Sequence, residues 1–137
     1  MEETSVFIDE AEKLLKSEKW EDRYKAMELI KENSIGVKEN DKLSFLFGLI
    51  KKGLKDKDGR VRNNTVYAFN IFRTGLIISD SYLDVSVFRE LYNYALDEKN
   101  HKIRNGFLRC LNYMTTIDLE FKFQDIGDFE EYNKIVN

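Results

Sequence analysis

The chain has 137 residues, 42% of them hydrophobic, and a formal net charge of −3. The length fits one domain with a real core, and the negative charge disfavours a dedicated nucleic-acid binder, which needs clustered cations. The absence of proline, with only seven glycines, disfavours a loop-rich sandwich or barrel, and the single cysteine excludes an internal disulfide.

The residues before the first helix, Met1 to Thr4, are acidic and contain no apolar signal core. We therefore expect no secretion. No stretch approaches the ~18 consecutive apolar residues of a membrane span. A lone cysteine, Cys110, fits a reducing environment, so the sequence predicts a cytoplasmic protein without membrane contact.

Apolar residues recur with a 3.6-residue period and predict an all-α fold. The first pair of helices is predicted over about 5–16 and 20–33. Gly36 follows at a position suited to a left-handed helix cap, so we expect the first pair to end there.

The second pair of helices is predicted to begin with a capping signal at Asn40. Its first helix, which contains Phe45, is apolar almost all round and is therefore expected inside the fold. After the turn 56–59, a second helix is predicted over about 60–74, with Gly75 ending it.

The third pair follows a segment, 76–82, that we interpret as a loop or a short helical turn. Its first helix begins near Val85, and its inward-facing residues are expected to include Leu96. Residues 97–100 then turn the chain into a last helix over about 101–116.

The C-terminal segment 118–137 departs from this pattern. Its apolar residues first alternate with polar ones, which suggests a short extended stretch, and a short helix is predicted from Asp128. We predict that this acidic segment folds back and caps the third helix pair. The alternative is that it docks on another protomer.

The three helix pairs align without internal gaps. Arg23, Arg62 and Arg104 correspond at spacings of 39 and 42 residues. A period of about 40 with two helices per unit is the signature of a helical solenoid, in which stacking buries the apolar face of each unit. The sequence therefore predicts a single domain, 1–137, with three repeats and a cap. The boundaries are about 5–36, 40–75, 80–117 and 118–137.

Val61-Arg62 and Ile103-Arg104, each followed by an apolar helix, resemble the second helix of HEAT repeats. Asp56, six residues before Arg62, matches the aspartate of that family, and Glu98 stands at this position in the third repeat. The resemblance implies a short α-solenoid in which aspartates and arginines form a ladder along the stack, with Arg62 paired to Asp56. The predicted ladder comprises Arg23, Asp56, Arg62, Glu98 and Arg104. The first repeat matches weakly, because Ser17 replaces the aspartate.

No pattern of residues predicts catalysis, a cofactor or a metal site. His101, alone at the start of a predicted helix, is expected to be a polar surface residue, and its charged form is disfavoured there. Cys110 aligns with apolar positions and is expected to be a small buried residue. We therefore expect that the protein is not an enzyme.

The second helices of such repeats line the concave side of a solenoid, where partners bind. Offsets +1, +5 and +8 from each aligned arginine point away from the core. Tyrosine and arginine are common interface anchors, and amides can bond to a peptide backbone. The predicted partner-binding stripe comprises Tyr24, Glu28 and Lys31, then Asn63, Tyr67 and Asn70, then Asn105, Arg109 and Asn112. A plain polar exterior is the alternative.

We expect a protein-binding adaptor or assembly subunit. Self-association through the repeat ends or the C-terminal segment is compatible with this expectation. The alternative is a helical-repeat protein that binds nucleic-acid backbone, as HEAT-like DNA glycosylases do. Its cations would be Arg60, Arg73, Lys99, Lys102, Arg104 and Arg109. Three of these, Arg60, Lys99 and Lys102, lie at turns and are expected to be unpaired. A phycobilin-lyase-like enzyme is a third possibility, but no residues resemble a chromophore site.

Overall fold

The computed structural model describes residues 3–78 and 85–114. Within these residues every regular element is a helix and there is no β-strand, which confirms the all-α prediction. The chain divides into two compact units, Met1–Asp80 and Ser81–Asn137. The division falls between the second and third predicted repeats.

The first unit contains four α-helices and a short 3-10 turn. Their bounds are α1 Glu3–Leu15, α2 Trp20–Asn33, the 3-10 turn Ser34–Gly36, α3 Asn40–Leu54 and α4 Gly59–Ile78. Helix α1 packs against α2, and α3 packs against α4. Helices α1 and α3 also contact each other, as do α2 and α4. The unit is therefore built of two helix pairs, with α1 and α3 in one layer and α2 and α4 in the other.

The core of the first unit lies between these layers. Large side chains from α2, α3 and α4 are completely buried there, and each stabilises the fold by about 1.5–3 kcal/mol relative to an exposed position. They include Met27, Ile30, Leu46, Ile50 and Phe69. Phe47 and Phe72 stack with their ring centroids 6.1 Å apart. Phe45 is an exception to the predicted burial, since 43% of it is exposed on α3.

Two glycines were predicted to end helices, and neither does so. Gly36 closes the 3-10 turn, and the residue that caps α2 is Ser34, with an ordinary right-handed φ of −72°. Gly75 lies inside α4, which continues through Ile78. A Cβ atom at Gly75 would lie 3.1 Å from the Cα of Ile35, so this glycine permits close contact between α4 and the 3-10 turn.

A third glycine, Gly53, marks the closest approach of α3 to α4. A Cβ atom there would overlap the side chain of Thr65 and would lie 2.9 Å from Met27 Cε. Thr65 is completely buried, and its hydroxyl donates to the carbonyl of Val61 at 2.7 Å. The packing of α2, α3 and α4 at this point therefore requires a residue without a side chain.

The second unit is a pair of helices, α5 (Val85–Asp97) and α6 (His101–Met114). These helices pack against each other, and both carry completely buried residues, including Leu91 and Leu111. The prediction that Leu96 faces inward is wrong, because 49% of it is exposed. It lies on the same face of α5 as Arg89 and Asn93, which are also exposed, and not on the face of Leu91 and Ala95.

The turns between paired helices share one pattern of hydrogen bonds. The first residue of each turn accepts, through its side chain, a hydrogen bond from the main-chain N–H two residues later, at 3.1, 2.9 and 3.0 Å in chain order. The arginine six residues after the first residue of the turn donates a hydrogen bond to the main-chain carbonyl of that first residue, at 3.0, 2.8 and 3.4 Å. The first residues are Ser17, Asp56 and Glu98, and the arginines are Arg23, Arg62 and Arg104.

An ion pair between Arg23 and Asp56 joins the two helix pairs of the first unit. Arg23 Nε donates to Asp56 Oδ2 at 2.7 Å, and Nη2 donates to Oδ1 at 3.2 Å. Both side chains are more than nine-tenths buried, and the hydrogen bond to Asp56 raises the pKa of Arg23 above its ordinary value. Asp56 thus binds the arginine of the preceding helix pair through its carboxylate, whereas Arg62, its predicted partner, reaches it through the main-chain carbonyl.

The predicted C-terminal cap, 118–137, lies outside the described residues, as do positions 79–82 of the segment interpreted as a loop. Among the helices that the structure describes, none has the length and apolar character needed to cross a membrane.

Candidate functional site

The predicted stripe residues of the first unit lie on one surface formed by α2 and α4. Asn63 is exposed, Tyr67 is 58% exposed, and Tyr24 is half-buried. We call Trp20, Tyr24, Asn63 and Tyr67 the open face. This surface is positioned by the direct packing of α2 on α4, which brings corresponding residues of the two helices side by side.

Besides the indole N–H of Trp20, three polar groups on the open face have no hydrogen-bond partner within the described part of the chain. They are the hydroxyls of Tyr24 and Tyr67 and the amide of Asn63. Exposed donors and acceptors of this kind can bond to a partner without first breaking an internal hydrogen bond. The adjacent Asn64 is different, since it is 2% exposed and donates to the carbonyl of Tyr24 at 3.2 Å.

The other predicted stripe residues of this unit are engaged internally. Lys31 Nζ lies 2.6 Å from Glu28 Oε2, donates to Asn64 Oδ1 at 2.9 Å, and lies 5.7 Å from the ring centroid of Tyr67. Lys31 therefore holds Glu28 and Tyr67 in place.

Asn70 is the last predicted stripe residue of the first unit. Its Oδ1 accepts a hydrogen bond from Arg73 Nη2 at 2.8 Å. Arg73 is 6% exposed, so Asn70 holds a buried guanidinium rather than facing outward alone.

The structure adds two residues that the predicted stripe omitted, Trp20 and Arg60. Together with Glu21, Tyr24 and Asn63 they line a shallow pocket of about 400 Å³. Trp20 precedes Tyr24 by four residues and Arg60 precedes Asn63 by three, so both lie one turn before a predicted stripe residue. Extending the stripe by one turn toward the helix N-termini would have found them.

The two aromatic rings of the pocket form a corner. The Trp20 and Tyr24 rings meet edge to face at 89°, with centroids 6.0 Å apart. The guanidinium carbon of Arg60 lies 3.6 Å from the Trp20 ring centroid, which is a close cation–π contact.

Asp58 fixes Arg60 in that position. Arg60 Nη2 donates to Asp58 Oδ2 at 2.8 Å and Nε donates to Oδ1 at 3.1 Å. Asp58 Oδ1 also accepts the main-chain N–H of Arg60 at 2.8 Å, which caps α4. Hydrogen bonding from Arg60 lowers the pKa of Asp58 to about 2 and raises the pKa of Arg60. The expectation that Arg60 is unpaired is therefore wrong.

In the second unit, the stripe residues Asn105 and Arg109 lie on α6 and are exposed. Asn112 also lies on α6, but its side chain is outside the described part. His101 is exposed, as expected, and its Nδ1 lies 2.8 Å from Arg104 Nη2. Cys110 is half-buried rather than part of the core.

The cations of the nucleic-acid alternative do not form one accessible set within the described structure. Arg73 is buried, Arg60 is bound to Asp58, and Arg104 contacts Glu98 and His101. Lys99, Lys102 and Arg109 are exposed, and all three lie in the second unit. The geometry therefore gives this alternative no specific support.

No group of three or more His, Cys, Asp or Glu side chains able to hold a metal ion is present among the residues described. In comparisons with protein-family models, with curated proteins and with solved structures, nothing matches this chain.

Proposed function

We propose that this chain is a non-enzymatic, cytoplasmic HEAT-like repeat module that binds another protein through the side chains of its second helices. The repeated turns support the repeat part of the proposal. Each places an arginine on the carbonyl of the residue six positions earlier, and Arg23 also bonds to the aspartate of the next pair. Stacked repeats with such a ladder form a solenoid whose second helices line a concave surface.

The observation that carries the binding proposal is the composition of the open face. Tyr24, Asn63 and Tyr67 present polar groups without internal partners, next to a pocket lined by aromatic rings. Tyrosine and tryptophan supply large contact areas with little loss of side-chain entropy, and they dominate measured binding energies at interfaces.

The proposal is tested by quantitative capture of binding proteins from an extract of the source cells. The immobilised chain is compared with Asn63→Ala and Tyr67→Ala variants, and with Arg109→Ala in the second unit. We expect the first two substitutions to reduce capture of a specific partner about ten-fold, because each removes an exposed anchor.

The matched control is Phe45→Ala, which removes an exposed aromatic side chain from α3 instead of from the open face. This variant should capture the partner as the unmodified chain does. If the open-face variants retain full capture while remaining folded by circular dichroism, the binding proposal is wrong.

A further inference from the structure

The pocket at the end of the open face has an unequal balance of charge. Two charged side chains line it, Glu21 and Arg60, and Arg60 is paired with Asp58. Asp58 and Arg60 neutralise each other through two short hydrogen bonds. Glu21 forms no ion pair with any residue that the structure describes, although its charge acts on Arg60 at longer range. With Asp58 counted together with its partner, these three side chains therefore carry a net charge of −1.

The aromatic walls of the pocket, like its negative charge, favour a positively charged ligand. The faces of tryptophan and tyrosine rings attract cations, through the negative face of their quadrupole. The molecule itself demonstrates this preference, because one guanidinium already lies 3.6 Å from the Trp20 ring centroid. The Tyr24 ring stands perpendicular to Trp20 and forms a second wall.

An anionic ligand would meet a different environment. It would need Arg60, whose guanidinium already donates to Asp58 and stacks on Trp20, and it would approach Glu21 at the same time. Breaking an existing bidentate pair and adding a like charge are both unfavourable. The exposed Asn63 amide can form hydrogen bonds with a cationic or an anionic ligand, so it does not favour either charge.

We propose that the pocket formed by Trp20, Glu21, Tyr24, Arg60 and Asn63 binds an arginine or lysine side chain of a peptide segment. The cation lies against the aromatic corner and pairs with the Glu21 carboxylate. This inference rests on the proposed function, since it names the chemistry of the partner that the open face receives.

Trp20 is the only tryptophan of the chain, so its fluorescence reports on the pocket directly. The full chain is titrated at low salt with four capped heptapeptides of glycine and serine. They carry arginine, lysine, glutamine or glutamate at the centre. We expect saturable changes in emission with the arginine and lysine peptides, with a dissociation constant on the order of 1 mM. The glutamine peptide should bind about five-fold more weakly or not at all.

A Glu21→Gln variant tests whether binding depends on the ion pair between the peptide cation and the Glu21 carboxylate or on nonspecific association. It should weaken binding of the arginine peptide about three-fold and reduce its salt dependence. The matched control is Glu32→Gln, an exposed glutamate on α2 that does not line the pocket. This control should bind as the unmodified chain does.

Three results would overturn the inference. They are tighter binding of the glutamate peptide, equal binding of the arginine and glutamine peptides, and no binding of any peptide. The capture experiment keeps this failure distinct from failure of the proposed function. If partner capture depends on Asn63 and Tyr67 but the basic peptides do not bind, only the pocket assignment is wrong. If the basic peptides bind but substitutions on the open face leave partner capture unchanged, the proposed function is wrong.

Discussion

The Arg23–Asp56 and Arg60–Asp58 pairs have the same chemistry and lie at the same end of the first unit, but they differ in burial. The side chains of Arg23 and Asp56 are 8% and 7% exposed, and they join two helix pairs. Those of Arg60 and Asp58 are 60% and 19% exposed, and Arg60 shapes a surface pocket. Because water screens the exposed pair, and because removing one partner of the buried pair leaves a buried charge uncompensated, breaking the buried pair should cost more stability.

Helix α4 repeats this contrast with two consecutive asparagines. Asn64 points into the contact between α2 and α4, where it bonds to Tyr24 and Lys31. Asn63 is exposed on the open face without a partner in the described structure. A step of one residue along a helix turns a side chain by about 100°, so identical neighbours take structural and surface roles.

The largest expected effect is that of Asp56→Ala. It would leave the Arg23 guanidinium buried without its carboxylate partner, and we expect a loss of about 3 kcal/mol in the free energy of unfolding. Urea denaturation followed by circular dichroism measures the loss. Asp58→Ala is the control and should cause a smaller loss, because it removes a helix cap and an exposed pair. Equal losses would contradict the contrast between the two pairs.

Gly53→Ala should be the next most destabilising change. The added methyl group would overlap Thr65 and approach Met27, and overpacking of this kind costs about 2 kcal/mol. The control lies on the same helix. A Cβ atom at Gly48 would have no heavy atom within 4 Å, and Gly48→Ala should stabilise the protein by about 0.5 kcal/mol through helix propensity. Thermal unfolding distinguishes the two variants by the sign of the change.

Asn64→Ala should cost about 1.5 kcal/mol, since it removes the hydrogen bonds from the Asn64 amide to the Tyr24 carbonyl and from the Lys31 ammonium to Asn64. Asn63→Ala should change stability by less than about 0.5 kcal/mol. The same denaturation experiment applies to both variants. A larger loss at Asn63 would show that the open face is part of the structural core.

The smallest effect concerns pH. The folded-state pKa of Asp58 is lowered from 3.8 to about 2, so its pair with Arg60 contributes fully above pH 3.8 and is lost as the pH falls toward 2. Trp20 emission, which senses the stacked Arg60 in the folded protein, should therefore remain constant down to about pH 3 and change with a midpoint at about pH 2. Asp58→Asn should remove this change while the helical signal in circular dichroism stays the same. A transition centred on the ordinary pKa of 3.8 would contradict the pairing.

The all-α class, the pairing of neighbouring helices and the exposure of several stripe residues could be predicted, whereas the solenoid stays a prediction. The bounds of α2 were predicted as 20–33, and the stripe offsets placed Asn63, Tyr67, Asn105 and Arg109 on the surface. These successes follow from helical periodicity, which is local. The failure at Gly75 arose because a glycine that ends a helix and one that permits close packing are identical in sequence. Gly36 instead closes the 3-10 turn that follows α2.

The sequence by itself determined the helical class, the pairing of helices and the spacing of the aligned arginines, because apolar period and turn chemistry depend on near neighbours. Only the tertiary structure decided which groups meet. It paired Asp56 with Arg23, 33 residues earlier, and stacked Arg60 on Trp20. These contacts depend on how α2 packs against α4 and against the turn that precedes α4. That packing brings together side chains that are distant in sequence.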